Sequence, residues 1–359
     1  MGGRGHHLVR ALGRLGLCGA DPETVEVALS DVRSSLGPGA GSQLVASALT
    51  HGLAEPLYVG LRDADVAGFL DEDAWNALRA SYLKTSVENA ARLERLERLE
   101  RSLARAGVRH VRLKGVALLG EVYGDPGLRP MSDIDLLVSR DDVSRAVRAL
   151  APLGYAPADP RELDPDSVRG RRTYHVQLAG HTAEAEPLVE LHWDLTQPDG
   201  LLRSLRLDIP AILEARHGVR SSPEDSIVIL SIHLARHYFR GLMWLADIAL
   251  LLRRYSDSVR WDQLWSRAEA AGALTVVFAT LQATERVFGV RAPPVPHEGA
   301  GGPGRLRRAA LDVLLAPERL LETTQGPRGL KLLLPDRYRD CIDTALWAGW
   351  FRLAGASSS

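Results

Sequence analysis

Lysine is nearly absent from this 359-residue chain: Lys84, Lys114 and Lys331 are the only three among 44 basic residues, and the other 41 are arginine. Against that background each lysine raises a question about its position. Cysteine is equally scarce, with Cys18 and Cys341 far apart and in no metal-ligand spacing. This excludes a disulfide framework and a thiolate zinc site, and it suits a reducing cytoplasm. An excess of one charge sign is missing too, because 44 basic and 45 acidic residues leave a net charge of −1. A near-neutral chain exerts no long-range pull on a polyanion, so nucleic acid is not an expected partner. Long hydrophobic runs are absent. The most membrane-like stretch, Leu242 to Leu252, is too short to span a bilayer and carries Asp247. Met1 to Arg10 leads into no apolar segment of secretory type. The expectation is a cytoplasmic protein without membrane contact.

What is present is the composition of an ordinary globular protein, 45% hydrophobic and 25% charged, long enough for two or three domains. From Asp21 to about Ala106 apolar residues recur at spacings of three and four, with breaks at Gly37 to Gly41 and Gly52 to Pro56. Residues 1–106 therefore form a helical N-terminal region. Its last helix, Ala74 to Ala106, carries three Arg-Leu-Glu triplets from Arg92 to Glu100. The arginine stripe neutralises itself through Glu94 to Arg98 and Glu97 to Arg101 at i,i+4 spacing. From Gly107 short strands alternate with helices: strands over Val108 to Leu113, Ile134 to Val138, Thr173 to Leu178 and Pro187 to Trp193; helices over Val116 to Tyr123 and from an Asp141 or Asp142 cap to Leu150. Ala158 to Arg172 reads as a loop. Residues 201–359 are helical again, over Ser226 to Phe239, Met243 to Tyr255, Trp261 to Ala270 and Leu274 to Val287, with a Gly/Pro-rich loop at 289–304. The expected fold is α+β: a small mixed β-sheet core at 107–200 flanked by helical regions on both sides.

Chemistry concentrates in Leu113-Lys114-Gly115 and in the run from Arg129 to Val138, RPMSDIDLLV. Side chains alternate along a strand, so Asp133 and Asp135 point one way while Ile134 and Leu136 turn to the core. Two carboxylates so close repel each other and call for a cation; oxygen ligands select Mg2+ or Mn2+, whose usual companion is a nucleoside triphosphate. An isolated D-x-D is weak, since both groups are often merely solvated. Its neighbourhood strengthens it. Lys114-Gly115 stands where a strand meets a helix, offering an ammonium and close backbone approach to phosphate oxygens. In Val189-Glu190-Leu191-His192-Trp193-Asp194 the same alternation puts Glu190, His192 and Asp194 on one face. Were this strand to pair beside Ile134 to Val138, Glu190 would complete a three-carboxylate metal site.

The order of strand, glycine-bearing helix start, SDIDLLV strand and late carboxylate strand resembles the nucleotidyltransferase superfamily of DNA polymerase β type. More closely, L-K-G-x-A, R-P-M-S-D-I-D-L-L-V and V-E-L-H-W resemble an uncharacterised nucleotidyltransferase family often encoded beside bacterial natural-product and capsule pathways. The resemblance covers Tyr82 to about Trp193 best and His233 to Leu252 more loosely. It implies that Asp133, Asp135 and Glu190 bind metal, that Lys114 and Gly115 hold the triphosphate, ATP being the expected one, and that Arg129 and Ser132 line the same site. The usual Gly-Ser or Gly-Gly phosphate motif is replaced here by Lys114-Gly115. The implied reaction moves a nucleoside monophosphate to a hydroxyl of a small molecule, peptide or protein. Acceptor-side candidates are His192 and, from the later helices, His237 and Asp247. His233 and His237 stand one turn apart but lack the Glu of a metalloprotease helix, so packing or acceptor contact is favoured over zinc. Two other readings compete. A kinase-like phosphotransferase rests on His192-Trp193-Asp194, but its metal Asp would have to follow that motif, whereas Asp133 precedes it, and Asp199 stands where an Asn belongs. A degenerate nucleotide-binding module rests on the missing Gly-Ser.

Overall fold

In the computed structural model, residues 2–17, 21–164, 167–180, 187–197, 202, 204–291, 303–322, 330–336 and 340 are described. Cys18, Cys341 and most of the 289–304 loop lie outside the described residues. Five helices open the chain: α1 (Gly2–Leu15), α2 (Pro22–Leu36), α3 (Ala40–His51), α4 (Ala54–Asp63) and α5 (Glu72–Arg105). The expected glycine breaks are helix ends, with Gly37 at φ 68° and Gly52 at φ 70°. α5 starts where the Asp71 carboxylate accepts the Ala74 amide at 2.8 Å. On it the two i,i+4 pairs form as expected, Arg98 with Glu94 at 3.0 Å and Arg101 with Glu97 at 3.6 Å.

The α/β part follows as β1 (His110–Arg112), α6 (Lys114–Leu118), β2 (Asp133–Val138), α7 (Val143–Leu150), β3 (Tyr155–Pro157), α8 (Val168–Arg172), β4 (His175–Gly180) and β5 (Leu188–His192). The sheet runs β1-β2-β5-β4-β3, and it is mixed because β2 and β5 are parallel while the other neighbours are antiparallel. The α+β architecture expected from sequence is therefore the one observed. Strand alternation sorts the two faces. Ile134, Leu136, Val138, Val189 and Leu191 join Leu96, Leu99 and Leu103 of α5 in one core, while Val111, Leu113 and Leu137 join the larger helical core on the other side.

The chain finishes with α9 (Ile209–Glu214), α10 (Pro223–Arg236), α11 (Leu242–Tyr255), α12 (Trp261–Ala270), α13 (Leu274–Phe288), α14 (Arg305–Leu314), α15 (Pro317–Glu322) and α16 (Leu330–Leu333). Residues from α1 to α4 and from α10 to α16 share one hydrophobic cluster, so the two helical ends of the chain are packed together. Among the described residues no helix is long and apolar enough to cross a membrane.

Several local expectations need correction. The 158–172 stretch is not a plain loop: it contains α8, started by Ser167 accepting the Gly170 amide at 2.7 Å, and is preceded by β3. Elements of three to five residues are too short to display a period. The helix before Leu150 is entered through Ser139, whose hydroxyl accepts the Asp141 amide at 3.2 Å, rather than through an Asp141 or Asp142 side-chain cap. α10 ends at Arg236, not Phe239, because Tyr238 and Phe239 adopt φ 56° and 57°, in the left-handed region that stops a helix. The helix after Lys114 widens into a π-helical turn over Leu119–Tyr123.

Candidate active site

β2 and β5 place the carboxylates. Their parallel register sets Asp135 opposite Glu190 and Asp133 opposite Leu188. Carboxylate oxygens of Asp133, Asp135 and Glu190 all fall within 4.8 Å of one another. The pairing on which the third carboxylate depended is thus formed. Lys114 enters from the end of β1: its Nζ donates to Asp135 Oδ1 at 2.6 Å, and the Leu113 amide donates to the Asp135 carbonyl at 3.0 Å. Lys114 sits at φ 50°, a strained value for a residue with a side chain. At the next position a Cβ on Gly115 would overlap Met131 Sδ and the Arg129 guanidinium, so any larger residue would require those side chains to shift.

His192 completes the inner layer. It is fully buried, and its Nε2 lies 2.8 Å from Asp135 Oδ1 and 3.1 Å from Glu190 Oε2. Glu190 Oε1 accepts the Gln177 amide at 2.9 Å, and His175 Nε2 is 3.9 Å from the same oxygen. Electrostatics divides the three acids. Burial, then the neighbouring Asp135 charge, pushes the Asp133 carboxyl up to about 6. Burial works the same way on Asp135, but the Lys114 ammonium and His192 outweigh it and hold Asp135 below the ordinary range. Glu190 is lowered too, its burial overcome first by His192, through hydrogen bonding and electrostatics, and then by His175 and the Gln177 hydrogen bond. Burial, then His192, takes His175 down to about 4, leaving a neutral imidazole at pH 7. An all-oxygen cluster whose outer member is ionised only with difficulty suits a hard divalent cation, since that charge relieves the repulsion.

The remaining expected residues lie around this centre in different ways. Ser132 is exposed, beside a groove of about 520 Å³ between α5 and the starts of β2 and β5, where Val87, Arg92, Arg95, Arg98 and Leu188 also line the walls. Arg129 and Asp247 do not face that opening. They pair with each other in the interior, and Tyr123 adds its hydroxyl to Asp247 Oδ1 at 2.7 Å. His237 stacks with His233 and Trp244, the ring centroids 4.6 and 4.7 Å away. Burial, then Arg236 and Lys114, lowers His237 to about 4; burial and Lys114 also head the causes that hold His233 far below its usual value. His233 of α10 and His237 just past its end therefore stand within electrostatic reach of Lys114, although they do not join the carboxylate cluster.

Three contributors escaped the sequence. Asn89, fully buried on α5, donates to the Pro126 carbonyl at 2.7 Å and the Arg129 carbonyl at 2.8 Å, fixing the segment that leads into β2. An asparagine inside a long charged helix carried no signal of this. His175 and Gln177 do alternate on β4, and that period placed them on one face; which neighbour the face would meet depended on the antiparallel register His175 with His192 and Gln177 with Glu190.

A mixed sheet that gathers three carboxylates from two parallel strands, with a lysine and a tightly packed glycine where β1 turns into α6, defines a protein of the nucleotidyltransferase class. The chain belongs to a family described as uncharacterised nucleotidyltransferase, whose model matches residues 41–289. The match reaches well beyond the Tyr82 to Trp193 core of the expected resemblance, from α3 through α13. A search of curated proteins gave no match.

Proposed function

We propose that the chain transfers a nucleoside monophosphate from a triphosphate, ATP being the expected one, to a hydroxyl of a small molecule, peptide or protein in cytoplasmic natural-product biosynthesis. The observation that carries this reading is the convergence of Asp133, Asp135 and Glu190 beside Lys114. Asp133, Asp135 and Glu190 would hold Mg2+ or Mn2+, which would supply a Lewis acid to neutralise phosphate charge and lower the pKa of an acceptor hydroxyl. Lys114, which donates to Asp135 Oδ1 at 2.6 Å, would offer its ammonium to the triphosphate oxygens. Gly115 lets the backbone approach. Ser132, at the mouth of the α5 groove, lines the path by which substrate reaches Asp133. His192 keeps Asp135 and Glu190 at a fixed separation, and His237 lies on the side from which an acceptor arrives. Arg129 and Asp247 hold the Gly115 turn and the Met131 segment in place from behind.

The test is product analysis. The full chain is incubated with Mg2+, each of the common nucleoside triphosphates and candidate hydroxyl acceptors, and pyrophosphate, inorganic phosphate and diphosphate are quantified together with acceptor mass. Pyrophosphate release with a nucleotide added to the acceptor is the expected result. Diphosphate release with a phosphorylated acceptor means a phosphotransferase. Binding without turnover means a degenerate nucleotide-binding module.

A further inference from the structure

We propose that His175, Glu190 and His192 form a binding site for a borderline divalent cation of the Zn2+ type, adjoining the acidic cluster and sharing Glu190 with it. The three side chains offer donor atoms within 4.8 Å of one another. His192 Nε2 stands 3.1 Å from Glu190 Oε2, and His175 Nε2 stands 3.9 Å from Glu190 Oε1. Donors around a tetrahedral Zn2+ with bonds of about 2.0–2.1 Å lie roughly 3.3 Å apart, so movements of under about 1 Å close this set on an ion.

The donor chemistry separates the two clusters. Three carboxylates suit Mg2+, whereas two imidazoles and one carboxylate favour Zn2+ and its neighbours in the first transition row. The scaffold is rigid, because His175 and His192 face each other across antiparallel β4 and β5 and Tyr174 packs on both rings, with centroids 4.4 and 5.9 Å away. Gln177 holds the Glu190 carboxylate from outside, as a partner behind a metal ligand does. Nδ1 of both imidazoles is buried and without a hydrogen-bond partner among the described residues. On His175 no hydrogen bond among the described residues ties Nε2 to an acceptor, whereas His192 Nε2 gives up its 2.8 Å contact with Asp135 Oδ1 when it turns its lone pair to the ion. Three protein donors leave a fourth position for water. The site stands whether or not the chain transfers nucleotides, since none of its donors depends on that reaction.

Co2+ is the probe, because it takes Zn2+ sites and reports coordination through visible d–d absorption. The purified full chain is titrated with Co2+ and then challenged with Zn2+ or excess Mg2+. The expected result is an intense four-coordinate spectrum that Zn2+ abolishes and Mg2+ does not. His175→Asn should weaken Co2+ binding by about tenfold or more, the usual scale for losing a contributor to a metal site, while Asp133→Asn should bind Co2+ as the parent does. His175→Gln is read in the same way should the asparagine variant fail to fold. A weak octahedral spectrum in the parent, displacement by Mg2+, or unchanged Co2+ affinity in the His175 variant overturns the proposal. Nucleotide and Mg2+ binding, measured on the same samples, report the acidic cluster separately.

Discussion

Arg129 and Asp247 are 118 residues apart in sequence and form a fork-to-fork ion pair in the interior, with Nε to Oδ1 at 2.8 Å and Nη2 to Oδ2 at 2.7 Å. The pair joins the segment leading into β2 to α11. Arg129 is held a second time, by Asn89 through its carbonyl, and its guanidinium closes the space beside Gly115. Burial opposes the Arg129 charge, and Asp247 more than compensates, raising its pKa further. A helix of the C-terminal region is thereby coupled mechanically to the proposed phosphate turn.

Breaking this pair should be costly. Asp247→Ala leaves a guanidinium buried and unpaired, which typically destabilises by about 3–5 kcal/mol. The double variant Arg129→Met with Asp247→Leu should recover much of that loss, because neither charge remains to be desolvated. Urea midpoints of the parent, both singles and the double form the test. Equal losses in Asp247→Ala and the double variant would show that packing, not charge pairing, sets the cost.

The raised Asp133 carboxyl makes stability depend on pH with a defined sign. Its folded value is about 6 against an ordinary aspartate value of 3.8. Between these values the folded state binds more protons than the unfolded one, so stability falls as pH rises through that window, by on the order of 2–3 kcal/mol. Asp133→Asn removes the ionisation, and above pH 6 the variant should be more stable than the parent; at pH 4 the advantage should vanish. Mg2+ should raise the parent's melting temperature at pH 7.5 and do so little at pH 5. Metal-dependent turnover should be lost in Asp133→Asn at every pH. A parent and variant with the same pH profile would place the Asp133 carboxyl in solvent.

Asp135→Asn should also end metal-dependent turnover, but with a different stability signature. Asp135 balances Lys114 and His192 at once, so its neutralisation strips both of a charged partner. A net loss of stability of about 1–3 kcal/mol follows from leaving such groups poorly satisfied. Relief of carboxylate repulsion should therefore leave the fold undisturbed at Asp133 and not at Asp135.

Lys114 tests the proposed triphosphate contact. Lys114→Ala should weaken nucleotide binding in isothermal titration, and Lys114→Arg should restore it only in part, since a planar guanidinium directs its donors differently. Identical nucleotide affinity in the alanine variant would confine Lys114 to its bond with Asp135.

The sheet and its acids were legible because strand alternation over Asp133 to Val138 and over Val189 to His192 is strict, and a residue between two acids must face the core. The end of α10 was not legible, since nothing in Tyr238-Phe239 announces a left-handed backbone. Asp247 and Arg129 looked like site residues because both are charged and lie in conspicuous segments; that they pair with each other is a tertiary fact, set by how α11 packs. Conversely, Asn89 and His175 gave no sign of their partners, which come from segments 37 to 40 residues later in one case and from a neighbouring strand in the other. Local patterns report which face a side chain takes, and only packing decides what that face meets.

Glu190 is where binding and chemistry should separate. Asp133 and Asp135 are sufficient to hold the ion that accompanies a triphosphate, whereas Glu190 reaches the cluster from the neighbouring strand and stands beside His192, on the side proposed for the acceptor. Glu190→Gln keeps the shape of the side chain and its potential contact with Gln177 while removing the charge. Nucleotide affinity should stay within a small factor of the parent, and kcat should drop by about a hundredfold or more, the scale on which losing electrostatic or base assistance registers. Were Glu190 only a structural partner of His192 and Gln177, the substitution would lower the melting temperature and leave turnover per folded molecule unchanged. Melting temperature, nucleotide affinity and kcat measured on one preparation decide between these outcomes, and the pattern that supports a chemical role is intact binding with collapsed turnover.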